Sequence, residues 1–211
     1  MQILHISDTH GSHKLLTNLP KADIIIHSDD ASFSGSDDEI LDFLNWFCDL
    51  DYAHKIFVAG NHDDCLYGEQ IEGLPDNCHY LCCSGIEFEG LRFWGVPLFM
   101  GDILKKGRME EIMKEIPNDT DVLISHNPPF GILDFDDGMN YGCRILLEAV
   151  ERVNPFYHFF GHIHAANGVE TINKTTFVNS AIMNEKYEFV NKPRLFITDE
   201  LQNVLIQSLN K

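Results

Sequence analysis

The most regular feature of the chain is a series of short apolar runs that each end at polar residues. Five of them precede a histidine or an aspartate, namely Ile3–Ile6, Ile24–His27, Ile56–Ala59, Val122–Ile124 and Phe156–Phe160. Runs of this length, bounded by Gly, Asn or Pro, predict buried β-strands. Further strands are predicted at Arg92–Val96, Thr175–Val178, Arg194–Thr198 and Val204–Gln207.

Three helices are predicted between these strands. The stretch Ser36-Asp37-Asp38-Glu39 is a capping-box pattern, which predicts a helix over about Asp37–Leu50. Its apolar face would consist of Ile40, Leu41, Phe43, Leu44 and Phe47. Two more helices are predicted at Arg108–Ile116 and from about Cys143 to Val153, each followed by a proline. Strands near both ends and helices between them predict an α/β protein with two packed sheets and helices outside them.

Chain length and composition are those of a globular protein. With 211 residues, of which 44% are hydrophobic, the chain can bury one substantial core, so we predict a single domain over residues 1–211. It has no apolar stretch near ~18 residues, and strand pattern begins directly after Met1 without a signal-peptide pattern. The six cysteines match no zinc-ribbon spacing. We therefore expect reduced thiols, no membrane partner and a cytoplasmic protein.

Charge narrows the range of partners. The chain has 15 basic and 33 acidic residues and a formal net charge of −18. Long nucleic acids would be repelled, because their binding depends on Lys and Arg that neutralise phosphates. Small anionic substrates can still reach a cleft that contains metal ions, since the ions dominate the local field. Composition leaves the oligomeric state open.

Candidate chemistry lies at the ends of the five apolar runs. The motifs are Asp8-Thr9-His10, Asp30, Gly60-Asn61-His62-Asp63, Ser125-His126-Asn127-Pro128-Pro129 and Gly161-His162-Ile163-His164. Each motif alone is more typical of a surface turn or a structural histidine. In α/β folds, however, ligands gather beyond the carboxyl ends of strands. Five such motifs with only nitrogen and oxygen donors therefore predict a site for two metal ions, of a kind that suits Mn, Fe, Zn or Ni better than Ca.

Spacing suggests how these donors share the ions. Asp8 and His10 are two residues apart just beyond a strand, so their side chains can converge on one ion. Asp30 follows a run typical of a central strand, and its two carboxylate oxygens can bridge two ions. If the backbone is extended at His162 and His164, both rings lie on one side and each can serve a different ion.

The remaining motifs combine donors of different kinds. Asn61 offers a neutral amide oxygen, and the adjacent His62 can then point at a substrate rather than at a metal. We expect Gly60 to allow a sharp backbone turn before them. His126 precedes two prolines that stiffen its segment.

The motif order resembles that of the calcineurin-like metallophosphoesterases, whose blocks read D-x-H, G-D, G-N-H-[DE], [GST]-H-x-P and G-H-x-H. Within them the chain is most similar to the metallophosphoesterase-domain-containing branch, which includes proteins like the 239 brain protein. Segments behind this narrower resemblance include Tyr52–Asp63, His126–Gly131, Phe160–His164, Thr175–Asn179 and Val190–Pro193. The resemblance covers about residues 3 to 198. It implies a four-layer αββα sandwich of two mixed β-sheets flanked by helices, with two metals in loops at one edge.

The resemblance also implies roles for individual residues. One metal would be held by Asp8, His10, Asp30 and His164, and the other by Asp30, Asn61, His126 and His162. The ions would be divalent, with Mn as the first expectation and Fe, Zn, Ni or Mg as alternatives, and a hydroxide that bridges them would attack phosphorus. His62 would act as the general acid, with Asp63 orienting it, and Asn61 and His62 would contact the substrate.

One departure from the wider superfamily bears on the substrate. Protein phosphatases in it extend the second block to G-D-x-x-D-R-G, whereas this chain reads Asp30-Ala31-Ser32-Phe33-Ser34-Gly35. Arginine is the usual bidentate partner of a phosphate dianion, so its absence favours phosphodiesters. The expected function is hydrolysis of small, cyclic-nucleotide-like phosphodiesters. Alternatives are a broad phosphomonoesterase, a nuclease for short single strands, and a low-activity nucleotide- or partner-binding scaffold.

A second departure is Asp29, which stands where the family pattern has glycine before the bridging aspartate. It adds charge and bulk beside Asp30, which makes it a candidate modulator of activity. Three interpretations are open. Its side chain points away and is harmless, it disturbs metal binding or turnover, or it acts as an added ligand or gate.

Overall fold

The structure is a computed structural model that describes residues 1–198. The strands in chain order are β1 (Gln2–Ile6), β2 (Ile24–Ser28), β3 (His54–Val58), β4 (Cys78–Tyr80), β5 (Ser84–Phe88), β6 (Leu91–Val96), β7 (Val122–Ser125), β8 (Phe135–Asp136), β9 (Met139–Asn140), β10 (Tyr157–Phe160), β11 (Gly168–Ile172), β12 (Thr175–Asn179) and β13 (Arg194–Ile197). The α-helices are α1 (Asp37–Asp49), α2 (Met100–Leu104), α3 (Arg108–Glu115) and α4 (Arg144–Val153). Short 3-10 helices lie at His13–Leu15, Asp64–Leu66 and His164–Ala166.

The strands form two large mixed sheets and one short hairpin. Sheet one has the order β13-β1-β2-β3-β4, and only β13 is antiparallel to its neighbour. Sheet two has the order β11-β12-β10-β7-β6-β5, with parallel pairing in its centre and antiparallel strands at both edges. The hairpin consists of β8 and β9. In both sheets the parallel strands end at the same edge, which brings together the loops that follow them.

Three apolar clusters define four layers. Alternate residues of one strand belong to different clusters, because successive side chains point to opposite faces of a sheet. In β2, Ile24 and Ile26 pack between the two sheets, whereas Ile25 packs under α1. In β7, Ile124 lies between the sheets and Leu123 packs under α3 and α4. The predicted αββα sandwich is therefore confirmed.

Helix α1 begins with the predicted capping box. The Ser36 side chain accepts a hydrogen bond from the backbone nitrogen of Glu39, and the Glu39 side chain accepts one from the backbone of Ser36. Ile40, Phe43 and Phe47 are buried as expected. The expectation for Leu41 was wrong, because Leu41 lies on the solvent side of the helix and is 56% exposed.

Most predicted elements occur within one or two residues of their expected bounds. The strands and α-helices that were not predicted are β4, β5, β8, β9, β11 and α2. Most of them are very short or lie at sheet edges, where one face is exposed and the apolar alternation is weak. The strand predicted at Val204–Gln207 lies outside the described residues. Within the described part of the chain, the helices are too short or too polar to cross a membrane.

Candidate metal centre

The candidate site lies at the edge where the parallel strands of both sheets end. Hydrogen bonds connect the loops after β1 and β2, with Asp8 N donating to Asp29 O at 2.7 Å and His10 N to Asp30 O at 2.9 Å. A contact between the two sheets is made by His162 N, which donates to Asp8 Oδ1 at 3.0 Å. The backbone therefore holds these loops against one another.

One donor group consists of Asp8, His10 and His164, whose candidate ligand atoms all lie within 4.8 Å of one another. Nε2 of His10 and Nε2 of His164 are 3.2 Å apart. Nε2 of His164 lies 3.3 Å from Asp8 Oδ1. Two imidazole nitrogens and a carboxylate oxygen thus face a common point.

A second donor group consists of Asp30, His126 and His162, again within 4.8 Å. His126 Nε2 lies 3.1 Å from His162 Nδ1 and 3.2 Å from Asp30 Oδ2. The same Asp30 oxygen is 3.9 Å from Nε2 of His10 in the first group. Asp30 therefore lies between the two groups, and its other oxygen accepts a hydrogen bond from His62 N at 2.8 Å.

Asn61 supports the fit of this site to metal ions. Its Oδ1 atom is buried and has no hydrogen-bond partner among the described residues. An unpaired buried carbonyl oxygen is costly, so such an atom needs an explanation such as an ion. Together with imidazole and carboxylate donors, an amide oxygen suits a divalent transition metal. The residues present therefore fit the two ions that the motifs imply.

The shifted pKa values of the buried donors also favour a bound cation. Burial by itself would lower the pKa of His126, but the carboxylates of Asp30 and Asp8 raise it to about 9. Burial tends to raise the pKa of Asp8, yet the neighbouring histidines, His164 first, hold it well below its usual range. The carboxylates thus favour positive charge at this place, which a metal ion supplies in place of protons.

The backbone is strained at the proposed ligands. Asp8, His10, Asp30 and His162 have φ values of 57°, 41°, 56° and 69°. The left-handed region is uncommon for residues other than glycine, and such strain collects at functional sites. The backbone at His162 and His164 is not extended, contrary to the condition considered from the sequence: His162 is left-handed and His164 begins a 3-10 helix, and the two rings belong to different donor groups.

Two glycines permit close approach to the carboxylates. A β-carbon at Gly60 would lie 2.1 Å from Asp30 Oδ1, and one at Gly161 would lie 2.1 Å from Asp8 Oδ2. The expected sharp turn is present, with Asp63 N donating to Gly60 O at 3.1 Å, but it requires no positive φ at residue 60. The left-handed backbone belongs to Asp30, while Gly60 is needed because no side chain fits between the two loops.

The ring of His62 lies at the border of the donor groups. Its Nδ1 is 2.7 Å from the carbonyl oxygen of Phe33. A carbonyl can only accept, so Nδ1 carries a proton and Nε2 is the nitrogen left for other partners. His10, Asp30 and His62 also form a third set of convergent donors, so the ring lies beside the proposed bridging carboxylate and one ligand of the first donor group.

Asp63 does not orient the ring of His62, contrary to the expectation. Its carboxylate is fully buried and accepts hydrogen bonds from Gly60 N at 2.9 Å and from both the nitrogen and the hydroxyl of Ser32, at 2.9 and 2.7 Å. These bonds connect the loops after β2 and β3. Asp63 therefore positions the backbone on which the neighbouring residues stand, and the carbonyl of Phe33 holds the ring.

Asp29 points into the protein. Its carboxyl group is buried beside His27, with 2.7 Å between Asp29 Oδ1 and His27 Nδ1, and the His27 ring packs against Phe43 of α1. Burial, followed by the nearby carboxylates of Asp63 and Asp30, raises the pKa of Asp29 well above its usual value. Its φ is outside the left-handed region. Of the three interpretations, this placement favours a side chain that points away from the cleft.

Several contacts of the site were not predicted because backbone carbonyls make them. Besides the carbonyl of Phe33, the carbonyl of Asn184 lies 3.0 Å from His164 Nδ1 and that of Ser28 lies 3.1 Å from His126 Nδ1. Such contacts orient the rings of metal-ligating histidines. A carbonyl is present in every residue, so no signal in the sequence could have identified these three.

Comparison with known proteins defines the class. The family profile described as calcineurin-like phosphoesterase matches residues 1–166, and the chain belongs to this family of metal-dependent phosphoesterases. The resemblance stated from the motifs is therefore confirmed. The donor groups above occupy the loops in which the family motifs lie.

Sequence relatives indicate which members of the family this chain is similar to. The chain is 36% identical to the UPF0046 protein C25E10.12 of Caenorhabditis elegans, over 90% of this chain and 78% of the relative. It is 32% identical to metallophosphoesterase domain-containing protein 1 of Homo sapiens, over 89% and 68%. Among solved structures, TT1561 of Thermus thermophilus is similar in fold, with a TM-score of 0.58 at 13% identity over 85% of this chain and 88% of the other.

Proposed function

We propose that this protein is a phosphodiesterase that uses two divalent ions to hydrolyse small, cyclic-nucleotide-like phosphodiesters. The observation that carries the proposal is the position of Asp30, whose Oδ2 lies 3.9 Å from His10 Nε2 and 3.2 Å from His126 Nε2. A carboxylate between two histidine-rich groups is suited to bridge two ions. Family membership supports the hydrolytic chemistry.

The proposed ligands are those predicted from the sequence. Asp8, His10, Asp30 and His164 would hold one ion, and Asp30, Asn61, His126 and His162 the other. Two divalent ions, for which we propose manganese first, supply Lewis acidity and a nucleophile from water when they are bound. The residues themselves determine where the phosphoester lies relative to the proton donor.

His62 is the proposed proton donor, and Asn61 and His62 the proposed substrate contacts. Because Nδ1 of His62 is bound to the Phe33 carbonyl, Nε2 is the atom that can give a proton to the leaving alcohol. Asp63 contributes by holding the loops after β2 and β3 together rather than by touching the ring.

The preference for diesters is supported by the arginines. All five lie in the described part of the chain and have partners elsewhere: Arg92 contacts Asp119, Arg108 contacts Asp102, Arg144 lies over the Phe130 ring, Arg152 contacts Met113 and Arg194 contacts Asn167. A phosphate dianion is usually bound by such a group. A phosphodiester carries only one negative charge, so its binding depends less on an arginine.

The thiols support the proposed cytoplasmic location. All six cysteines are free, and Cys78 is buried. Free thiols persist in reducing compartments and are uncommon in oxidising ones.

The test combines metal analysis with a panel of esters. The parent protein is loaded with manganese, dialysed and analysed for bound metal, and its kcat/KM is measured on bis-p-nitrophenyl phosphate and on p-nitrophenyl phosphate. We expect about two ions per chain and a higher kcat/KM on the diester. His126→Ala and His164→Ala should each lose metal. His79→Ala, which alters a half-buried histidine of β4 outside the donor groups, should not.

Each part can fail separately. Fewer than about one ion in the loaded parent would contradict the two-ion site. A clear preference for the monoester would favour a phosphomonoesterase. Bound metal without turnover on either ester would favour a binding scaffold.

A further inference from the structure

Two aromatic side chains stand exposed beside the donor groups. Phe33, in the loop after β2, is 52% exposed, and Tyr187, in the segment between β12 and β13, is 44% exposed. Their ring centroids are 5.2 Å apart at an interplanar angle of 74°. Since single exposed aromatic residues are common on protein surfaces, exposure alone assigns them no role.

Their neighbours distinguish them from ordinary surface residues. The Tyr187 ring lies 4.9 Å from the ring of His10 and 5.7 Å from that of His164. The Phe33 ring lies 6.1 Å from the ring of His62. The pair therefore borders both the proposed metal ligands and the proposed proton donor.

The backbone under Phe33 is held in place. Phe33 N and Ser34 N donate to the carboxylate of Glu39, at 3.4 and 2.9 Å, and the Phe33 carbonyl is bound to His62. Gly35 has a φ of 73°, and a β-carbon there would lie 2.8 Å from the carbonyl oxygen of His62. The capping box of α1 therefore also fixes the loop that presents the Phe33 ring.

The turn under Tyr187 is held as firmly. Tyr187 has a φ of 58°, which is rare for an aromatic residue, and its nitrogen donates to Asn184 O at 2.9 Å. The Asn184 side-chain oxygen accepts from the nitrogens of Lys186 and Glu188, at 2.9 and 3.0 Å. Asn184 O is also the carbonyl beside His164 Nδ1. This turn connects the position of the tyrosine ring to a proposed ligand.

We propose that Phe33 and Tyr187 form an aromatic platform that binds a planar ring of the substrate, such as a nucleobase or an aryl group. With the two rings at 74°, a planar group can stack on one and place its edge against the other, and both are favourable aromatic contacts. Stacking accepts any base, because every base has a π-face. The inference rests on the proposed phosphoesterase function and names the part of the ester that the cleft selects.

A structural role for the same rings makes a different prediction. If Phe33 and Tyr187 only pack against His10, His62 and His164, their replacement would affect all phosphate ligands equally. A platform would affect only ligands that carry a ring. The comparison of two ligands with the same phosphate group therefore separates the two roles.

The experiment measures binding by calorimetry of the manganese-loaded protein to adenosine 5′-monophosphate and to ribose 5-phosphate. We expect the parent to bind the nucleotide roughly tenfold or more tightly than the sugar phosphate, because a base stacked on aromatic side chains contributes on this scale. In Phe33→Leu/Tyr187→Leu the ratio should fall to about two or less, and Phe33→Tyr should retain it. Phe135→Leu, which alters an equally exposed phenylalanine on the β8–β9 hairpin, is the matched control and should keep the parent ratio.

The outcomes separate the platform from the function. If the loaded protein cleaves diesters but binds both ligands equally, the platform is wrong and the proposed function stands. If the double variant keeps the parent ratio, the ring binds elsewhere and the platform is also wrong. If the parent neither binds these phosphates nor cleaves esters, both proposals are overturned.

Discussion

Gly60 lies so close to Asp30 that a β-carbon at residue 60 would meet Asp30 Oδ1 at 2.1 Å and the backbone nitrogen of Asp30 at 2.6 Å. That oxygen is also the acceptor for His62 N. Any side chain at residue 60 must therefore displace the proposed bridging carboxylate.

We predict that Gly60→Ala weakens manganese binding roughly 10–100-fold, the scale seen when groups that position metal ligands are changed. Overpacking should also destabilise the fold by about 1–3 kcal/mol. Metal titration and chemical denaturation measure the two effects. Gly168→Ala is the control, because a β-carbon at residue 168 would meet only the flexible end of the Leu133 side chain at close range, at 3.0 Å. Parent-like metal affinity in Gly60→Ala would show that Asp30 is not held as proposed.

A second prediction concerns His62. The variant His62→Asn keeps a side-chain nitrogen that can reach the Phe33 carbonyl but lacks a proton donor at the position of Nε2. We expect turnover of a nucleoside 3′,5′-cyclic phosphate to fall by roughly 10²–10⁴-fold, because its leaving alkoxide needs a proton. Turnover of bis-p-nitrophenyl phosphate should fall much less, and bound metal should not change. Equal losses on both esters, or lost metal, would assign His62 to the ligands instead.

A third prediction concerns Asp29. Its buried side chain has a raised pKa and lies beside His27, so we expect an uncharged group that does not repel the substrate. Asp29→Asn, which keeps shape and neutrality, should leave metal content and kcat/KM close to those of the parent. Asp29→Gly should lower the free energy of unfolding by about 1–3 kcal/mol, because it leaves a cavity beside the buried His27 ring. An increase of several-fold in kcat/KM for Asp29→Asn would mean that Asp29 is charged and obstructs the site.

A fourth prediction concerns pH and stability. His158 is fully buried, its Nε2 lies 2.8 Å from Ser125 Oγ, and burial lowers its pKa to about 3. The unfolded chain binds a proton near pH 6.5, whereas the folded protein does not until about pH 3. The neutral ring therefore makes its full contribution to the free energy of unfolding above pH 6.5. As the pH falls from 6.5 towards 3, the free energy of unfolding decreases by about 1.4 kcal/mol per pH unit.

Denaturation of the metal-free protein at pH 7.5 and pH 5.5 tests this expectation. His158→Gln retains a donor for Ser125 but does not titrate. Its free energy of unfolding should therefore fall between these two pH values by about 1.4 kcal/mol less than that of the parent. Identical falls in both proteins would show that His158 does not contribute to the pH dependence.

Sequence patterns predicted two packed sheets with helices outside them, and the short motifs carried the resemblance that implied the αββα sandwich, because both depend on local signals. Central strands such as β2 are buried along their whole length and begin with a run of apolar residues, and proposed ligands such as His126 follow directly where a strand ends. The direction of a side chain is not a local signal. Asp29 and Asp30 are adjacent, yet one faces His27 and the other faces the donor groups, and the left-handed φ of Asp30 produces this difference.

The aromatic pair could not be predicted for a related reason. Phe33 and Tyr187 are 154 positions apart, and only the packing of their two loops brings them together. Edge strands such as β11 were missed because four of its five side chains are exposed, so that little apolar alternation remains.

The proposed ligands are divided between the two halves of the sandwich. Asp8, Asp30 and Asn61 follow strands of sheet one, whereas His126 and His164 follow strands of sheet two. During synthesis, a nascent chain that ends before residue 164 can form all of the first three strands but lacks a ligand for one ion. Metal binding at the complete site would therefore be a late step in the folding of a new chain, after the two sheets have packed together.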